Sequence, residues 1–196
     1  SDLVSTEERL HLLVYGLEEP LGAARFAALP ALLDRVDREG GAAVLAHPWT
    51  ILDRPRAQGL AGELLAAGLL HGLEIASAAL FYEEFGRWRQ TVLWGRELGG
   101  GQHLSLLAGT DWHDHGQGLC PGLGRTIFWG SAGDDAEFVA AIRAGRTAAW
   151  LHWPSLIEHG LIGRLEREAV GLWATPWEGL IGSPELLAEI REERGR

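Results

Sequence analysis

Apolar residues in this chain gather in short unbroken runs, and between the runs they recur at helical spacing. Residues 10–17 (LHLLVYGL) read as a first strand. Residues 42–46 (AAVLA) read as a second, wholly apolar one, which His47-Pro48 stops. Further strands are predicted at 73–76, 104–108 and 125–129. Helices are predicted at 31–38, closed by Gly40-Gly41, and at 60–70, broken by Gly72. A longer helix is predicted over 81–98, with Phe81, Phe85, Trp88, Val92, Leu93 and Leu98 as its apolar positions. Asp134 reads as the N-cap of a helix over 136–144, and Gly145 ends it.

Strands and helices alternate, and the strands are nearly continuous apolar runs. That pattern predicts an α/β domain with a mainly parallel sheet covered on both faces. Right-handed crossovers follow from it. Beyond Trp150 the rhythm changes, and residues 154–170 and 183–193 read as two helices joined by a Trp- and Pro-containing loop. The predicted organisation is an α/β domain over 1–150 and a helical extension over 151–196 packed on it. The final residues, 191–196, read as a solvated end.

Composition narrows the function classes. With 46% apolar residues among 196, a sizeable core can form. The net charge is −10, and all 17 basic residues are Arg. An acidic chain without basic clusters argues against general nucleic-acid or anionic-membrane binding, though a single Arg can still hold a phosphate. No apolar run is long enough to span a bilayer, and no basic-then-apolar leader is seen. The chain starts at Ser1, which suggests a trimmed start or a piece of something longer. One cysteine, Cys120, permits no internal disulfide and fits a reducing, cytoplasmic setting.

The candidate chemistry lies where strands end. In parallel α/β folds, functional residues gather at the C-terminal ends of strands. The strand at 104–108 leads directly into Gly109-Thr110-Asp111-Trp112-His113-Asp114-His115. In extended chain, residues i and i+2 share a side, so Asp111 and His113 can converge as half of a divalent metal site. Asp111 also suits a turn or a helix cap. His47 ends another strand, and Glu74 lies inside the strand between them. Asp114 and His115 suit groups that orient ligands rather than bind metal. His11 begins its strand instead of ending it, which taken alone suits a packed or capping residue. Trp49 and Trp112 flank these positions and suit either a pocket wall or core packing. Arg125 and Arg146 suit a phosphate contact or an ordinary surface position.

Several of these segments together resemble the PHP (polymerase and histidinol phosphatase) domain family. His11-Leu12-Leu13-Val14-Tyr15-Gly16-Leu17 is similar to the family's strand with a metal-binding His. Ala46-His47-Pro48 is similar to its A-H-P motif, and Gly72-Leu73-Glu74-Ile75 to its G-L-E-V strand. Gly109-Thr110-Asp111-Trp112-His113 resembles its G-S/T-D-x-H segment. Residues 138–147 resemble the A-I-R-A-G-R-T helix end of the CehA-like metallohydrolase branch.

The resemblance implies a partial, distorted (βα)7 barrel and a metal-dependent phosphoesterase. Its matching metal ligands are His11, His47, Asp111 and His113, with Glu74, Asp114, His115, Arg125, Arg146, Trp49 and Trp112 as surrounding or substrate-facing residues. Imidazole and carboxylate donors suit Zn, Mn or Fe. The family's opening H-x-H pair has no counterpart here, so four ligands serve one ion rather than a cluster. The implied substrate is a small phosphate ester, attacked by metal-activated water. The alternative is a catalytically inactive PHP-like binding or scaffold module. A third reading is an ordinary α/β domain with structural His and Asp residues. A partial barrel would also expose an apolar edge suited to a homo-oligomer.

Overall fold

The computed structural model describes residues 2–6, 9–21, 26–76, 90, 91, 94, 97, 104–109, 124–128, 133–151 and 180–181. Strand β1 (Asp2–Thr6) pairs antiparallel with β2 (His11–Tyr15) and parallel with the short β3 (Phe26–Ala27). Helix α1 (Leu29–Arg38) leads into β4 (Ala42–Leu45), which lies antiparallel to β2. A 3-10 turn (Pro48–Ile51) and α2 (Pro55–Ala66) follow, then β5 (Gly72–Ala76) and β6 (Ser105–Ala108). β4, β5 and β6 run parallel, and the six-stranded order is β3-β1-β2-β4-β5-β6. A second, antiparallel sheet holds β7 (Gly124–Phe128), β8 (Thr147–Leu151) and β9 (Leu180–Ile181), with α3 (Asp135–Arg143) between β7 and β8.

The fold is therefore mixed α/β. The predicted parallel sheet is present as β4-β5-β6, and β2 departs from it by running the other way. Among the described residues the strands form two sheets rather than one closed ring. Of the helix predicted at 81–98, Gln90, Thr91, Trp94 and Glu97 are helical and the rest lies outside the described residues. The helices predicted at 154–170 and 183–193 also lie outside them. The segment after 150 does contribute β9, which pairs with Ala149 and Trp150.

The sheet separates two apolar layers. Leu12 and Val14 of β2, Ala43 and Leu45 of β4, Leu73 and Ile75 of β5, and Leu106 of β6 face α1 and α2. Ala42 and Val44 of β4 and Leu107 of β6 face Val139 and Ile142 of α3 on the other side. All four residues of β4 are buried, which is why its sequence is apolar without alternation. Each fully buried Leu or Ile contributes about 1.5–3 kcal/mol.

Hydroxyl groups finish the open flank of β6. Thr126 on β7 accepts from the Ala108 N–H at 3.1 Å and donates to the Ala108 carbonyl at 3.0 Å. Thr147 on β8 donates to the Leu106 carbonyl at 3.1 Å, and Ser105 donates to the Ile142 carbonyl at 2.8 Å. Side chains thus satisfy an edge that would otherwise need another strand. Leu69 is the only large hydrophobic residue in the exposed class among the described residues.

At the opposite end of the sheet, His71 precedes β5. Its backbone N–H donates to the Ala43 carbonyl at 2.8 Å, and its Nδ1 accepts the Ala43 N–H at 3.2 Å. Burial first, and the Arg143 guanidinium second, push its pKa below the ordinary 6.5. The native state therefore keeps this ring neutral at pH values where the unfolded chain protonates it.

Two outcomes follow. Stability contributed by neutral His71 is complete above about pH 6.5 and is lost as pH falls below it. Urea unfolding at pH 7.5 and 5.5 should show this loss, and His71→Gln should reduce it. Thr126→Val, which keeps the side chain's shape, should lower the unfolding free energy by about 1–3 kcal/mol through the unpaired Ala108 groups.

Candidate functional site

Parallel strands β4, β5 and β6 bring their C-terminal ends to one edge. Because β2 is antiparallel to β4, its first residue, His11, lies at that same edge. The His11 carbonyl accepts the Ala46 N–H at 2.9 Å, which places His47 one residue past the pairing. His11, which seemed to stand at the wrong end of its strand, is thus delivered to the functional edge by strand direction.

Alternation along the strands then selects a face. Leu12, Leu73 and Leu106 belong to the α1–α2 layer. Their neighbours His11, Glu74 and Leu107 therefore face the other way, and Glu74 pairs in register with Leu107. Gly109, two residues beyond Leu107, continues on that face beside Glu74.

The two imidazoles meet. His11 Nδ1 lies 2.9 Å from His47 Nε2, with the rings edge to face at a centroid separation of 4.7 Å. Two ring nitrogens at this distance require a proton or a cation between them, since bare lone pairs repel. Bonded to one ion at about 2.0–2.1 Å each, two nitrogens stand about 2.9 Å apart at a right angle and about 3.3–3.4 Å apart in tetrahedral geometry. The pair makes a direct ring-to-ring hydrogen bond, and its two nitrogens are donors of the kind that Zn, Mn or Fe takes.

His47 holds an unusual backbone. Its φ of 30° and ψ of 58° lie in the left-handed region, directly before Pro48. Such a residue costs about 1–3 kcal/mol and persists only where its surroundings hold it. Three contacts do so. The His47 N–H donates to Glu74 Oε2 at 3.1 Å. The His47 carbonyl accepts from the Thr50 N–H at 3.1 Å and from the Thr50 hydroxyl at 3.0 Å. Trp49 lies against the ring at 5.8 Å between centroids, and it is itself buried in the core. Trp49 thus backs the His47 ring from within the core.

Glu74 is a carboxylate only 6% exposed. One oxygen holds His47, and the other faces Gly109, where any Cβ would overlap it. A Cβ at 109 would have to displace the Glu74 carboxyl from its present position. Glu74 thereby joins the end of β4 to the end of β6, where the Gly109-Thr110-Asp111 segment starts.

Asp111, Trp112, His113, Asp114 and His115 lie outside the described residues. Among the described residues, no three His, Cys, Asp or Glu side chains gather as a metal-binding group. Arg125 stacks over the Trp150 ring at 5.3 Å, on the face of the second sheet away from Thr126 and β6. Arg146 sits at the other end of β6, next to Thr147, where α3 ends with its backbone N–H on the Ala141 carbonyl. The structure does not bring Arg146 to the His11–His47 edge, because helix α3 ends at the opposite side of the sheet. Thr50 was not singled out from sequence; its signal is a hydroxyl three residues after a strand-ending His.

A cavity of about 670 Å³ opens at that opposite side, lined in part by Tyr15, Phe138, Glu18, Glu39 and Arg143. Two of its charged groups, Glu39 and Arg143, have partners just outside the lining. Arg35 first, then the Glu18 N–H, hold the Glu39 carboxyl below its usual value. Arg143 bonds the Gly41 carbonyl at 2.6 Å and Asp37 at 3.2 Å. Compared with known proteins, the chain matches no family model and no curated protein. No helix among the described residues is long and apolar enough to cross a membrane.

Gly109→Ala should destabilise the fold by about 1–3 kcal/mol, the usual cost of overpacking. Adding Glu74→Ala should recover part of that loss, with a coupling of about 0.5 kcal/mol or more in a double-mutant cycle. Additive effects would show that Glu74 is not what demands glycine there.

Proposed function

We propose that this chain is a PHP-type metal-dependent phosphoesterase, or the metal-binding portion of one. The observation that carries this reading is the His11–His47 pair, 2.9 Å apart at the edge where β6 starts the Gly109-Thr110-Asp111 segment. His11 and His47 would hold a Zn, Mn or Fe ion, with Asp111 and His113 as the further ligands. Bound there, the ion would supply an activated water and neutralise charge developing on a phosphate ester. The chain's own contribution is positional. β2 and β4 set the two imidazoles, Glu74 fixes the His47 backbone, and Trp49 closes the core side of the ring. The mixed sheet would be one part of the distorted barrel that the resemblance implies. A small phosphate ester as substrate and a cytoplasmic setting belong to the same reading.

A second reading, an inactive PHP-like binding module, is favoured by one observation. Strand β1 (Asp2–Thr6), which pairs with β2 on the side away from β4, carries no imidazole to supply the family's opening pair.

Metal analysis of the purified chain should find about one Zn, Mn or Fe per chain, the number four ligands can serve. Asp111→Ala and His47→Ala should each remove it. Two or three ions would reveal ligands beyond these four, and none would overturn the reading. With metal bound, release of phosphate from an aryl phosphate separates the enzyme from the inactive module.

A further inference from the structure

We propose that Thr50 is the positioning residue of His47, fixing which ring nitrogen carries the proton and so which one faces the site. Its significance for metal binding rests on the function proposed above; its geometry does not.

The assignment comes from counting donors. A threonine hydroxyl has one hydrogen and two lone pairs. The Thr50 hydroxyl donates that hydrogen to the His47 carbonyl at 3.0 Å. The same oxygen lies 3.4 Å from His47 Nδ1. With its hydrogen committed to the carbonyl, Thr50 can only accept from the ring, so Nδ1 carries the proton. The lone pair of the neutral ring then resides on Nε2, the nitrogen facing His11 Nδ1 at 2.9 Å. His11 Nδ1–H would donate to that lone pair in the metal-free chain, and a cation held by both nitrogens would have to displace this proton.

The 3-10 turn makes this possible. It begins at Pro48 and brings residue 50 back over the His47 carbonyl, with the Thr50 N–H on that same oxygen at 3.1 Å. Backbone and hydroxyl therefore grip one carbonyl, and the hydroxyl oxygen is left beside the ring. Valine keeps the shape and loses the acceptor. Serine keeps the acceptor. Thr50 is exposed, so neither change opens the core.

The test uses the full chain. Long-range proton–nitrogen correlation spectra of the metal-free protein, taken where imidazole is neutral, should show His47 protonated at Nδ1. Thr50→Val should shift the ring toward the other tautomer, and Thr50→Ser should restore the wild-type pattern. Zinc titration should show affinity falling about 10–100-fold in Thr50→Val, the usual loss for a residue that orients a ligand, and recovering in Thr50→Ser. An unchanged tautomer in Thr50→Val overturns the proposal, as does an altered tautomer with unchanged zinc affinity. A wild-type chain that binds no zinc while Thr50 still controls the tautomer overturns the metal-site reading and supports the positioning.

Discussion

The buried carboxylate of Glu74 holds the backbone N–H of His47 with one oxygen and occupies the space beside Gly109 with the other. Three strand ends meet through this single side chain. With Thr50 and Trp49, it holds His47 in the left-handed region before a proline, where that conformation is disfavoured. Without it, the space beside Gly109 would be open to a Cβ. Backbone conformation at the end of β4 and the space at the end of β6 thus both depend on one buried side chain.

That constraint acts on an edge created by topology. Parallel strands alone would have gathered His47 and the Gly109 segment, but not His11. The reversal of β2 against β4 supplies the missing imidazole. The opposite edge, with His71 and the paired charges around Glu39 and Arg143, is built from matched interactions. Glu39 and Arg143 there are paired within the chain, whereas the two imidazoles at the other edge meet each other.

Much of this was legible in the chain itself. β4, β5 and β6 are short apolar runs, and burial on both faces leaves little choice of residue. Asp134 was readable as a cap, and its Oδ1 does accept the Ala136 and Glu137 N–H groups. Helix α2 was legible in kind but not in extent. It starts at Pro55, pre-organised for a first turn, and stops before Gly68 at a φ of 70°. The leucines that suggested a later helix extend beyond it. β1 and β8 were not anticipated: one is partly polar, and the other is rich in alanine, a weak strand former. The direction of β2 was illegible for a deeper reason. A strand's sequence shows which face is buried but not which way its neighbour runs. The pairing of His11 with His47 therefore emerged only with the sheet.

The left-handed conformation of His47 also sets this position against the rest of the fold. On stability alone, glycine would be the preferred residue there, because it adopts that conformation without steric cost. Histidine at 47 therefore occupies a backbone conformation that its own Cβ disfavours, and local sterics give no reason to prefer it there over glycine.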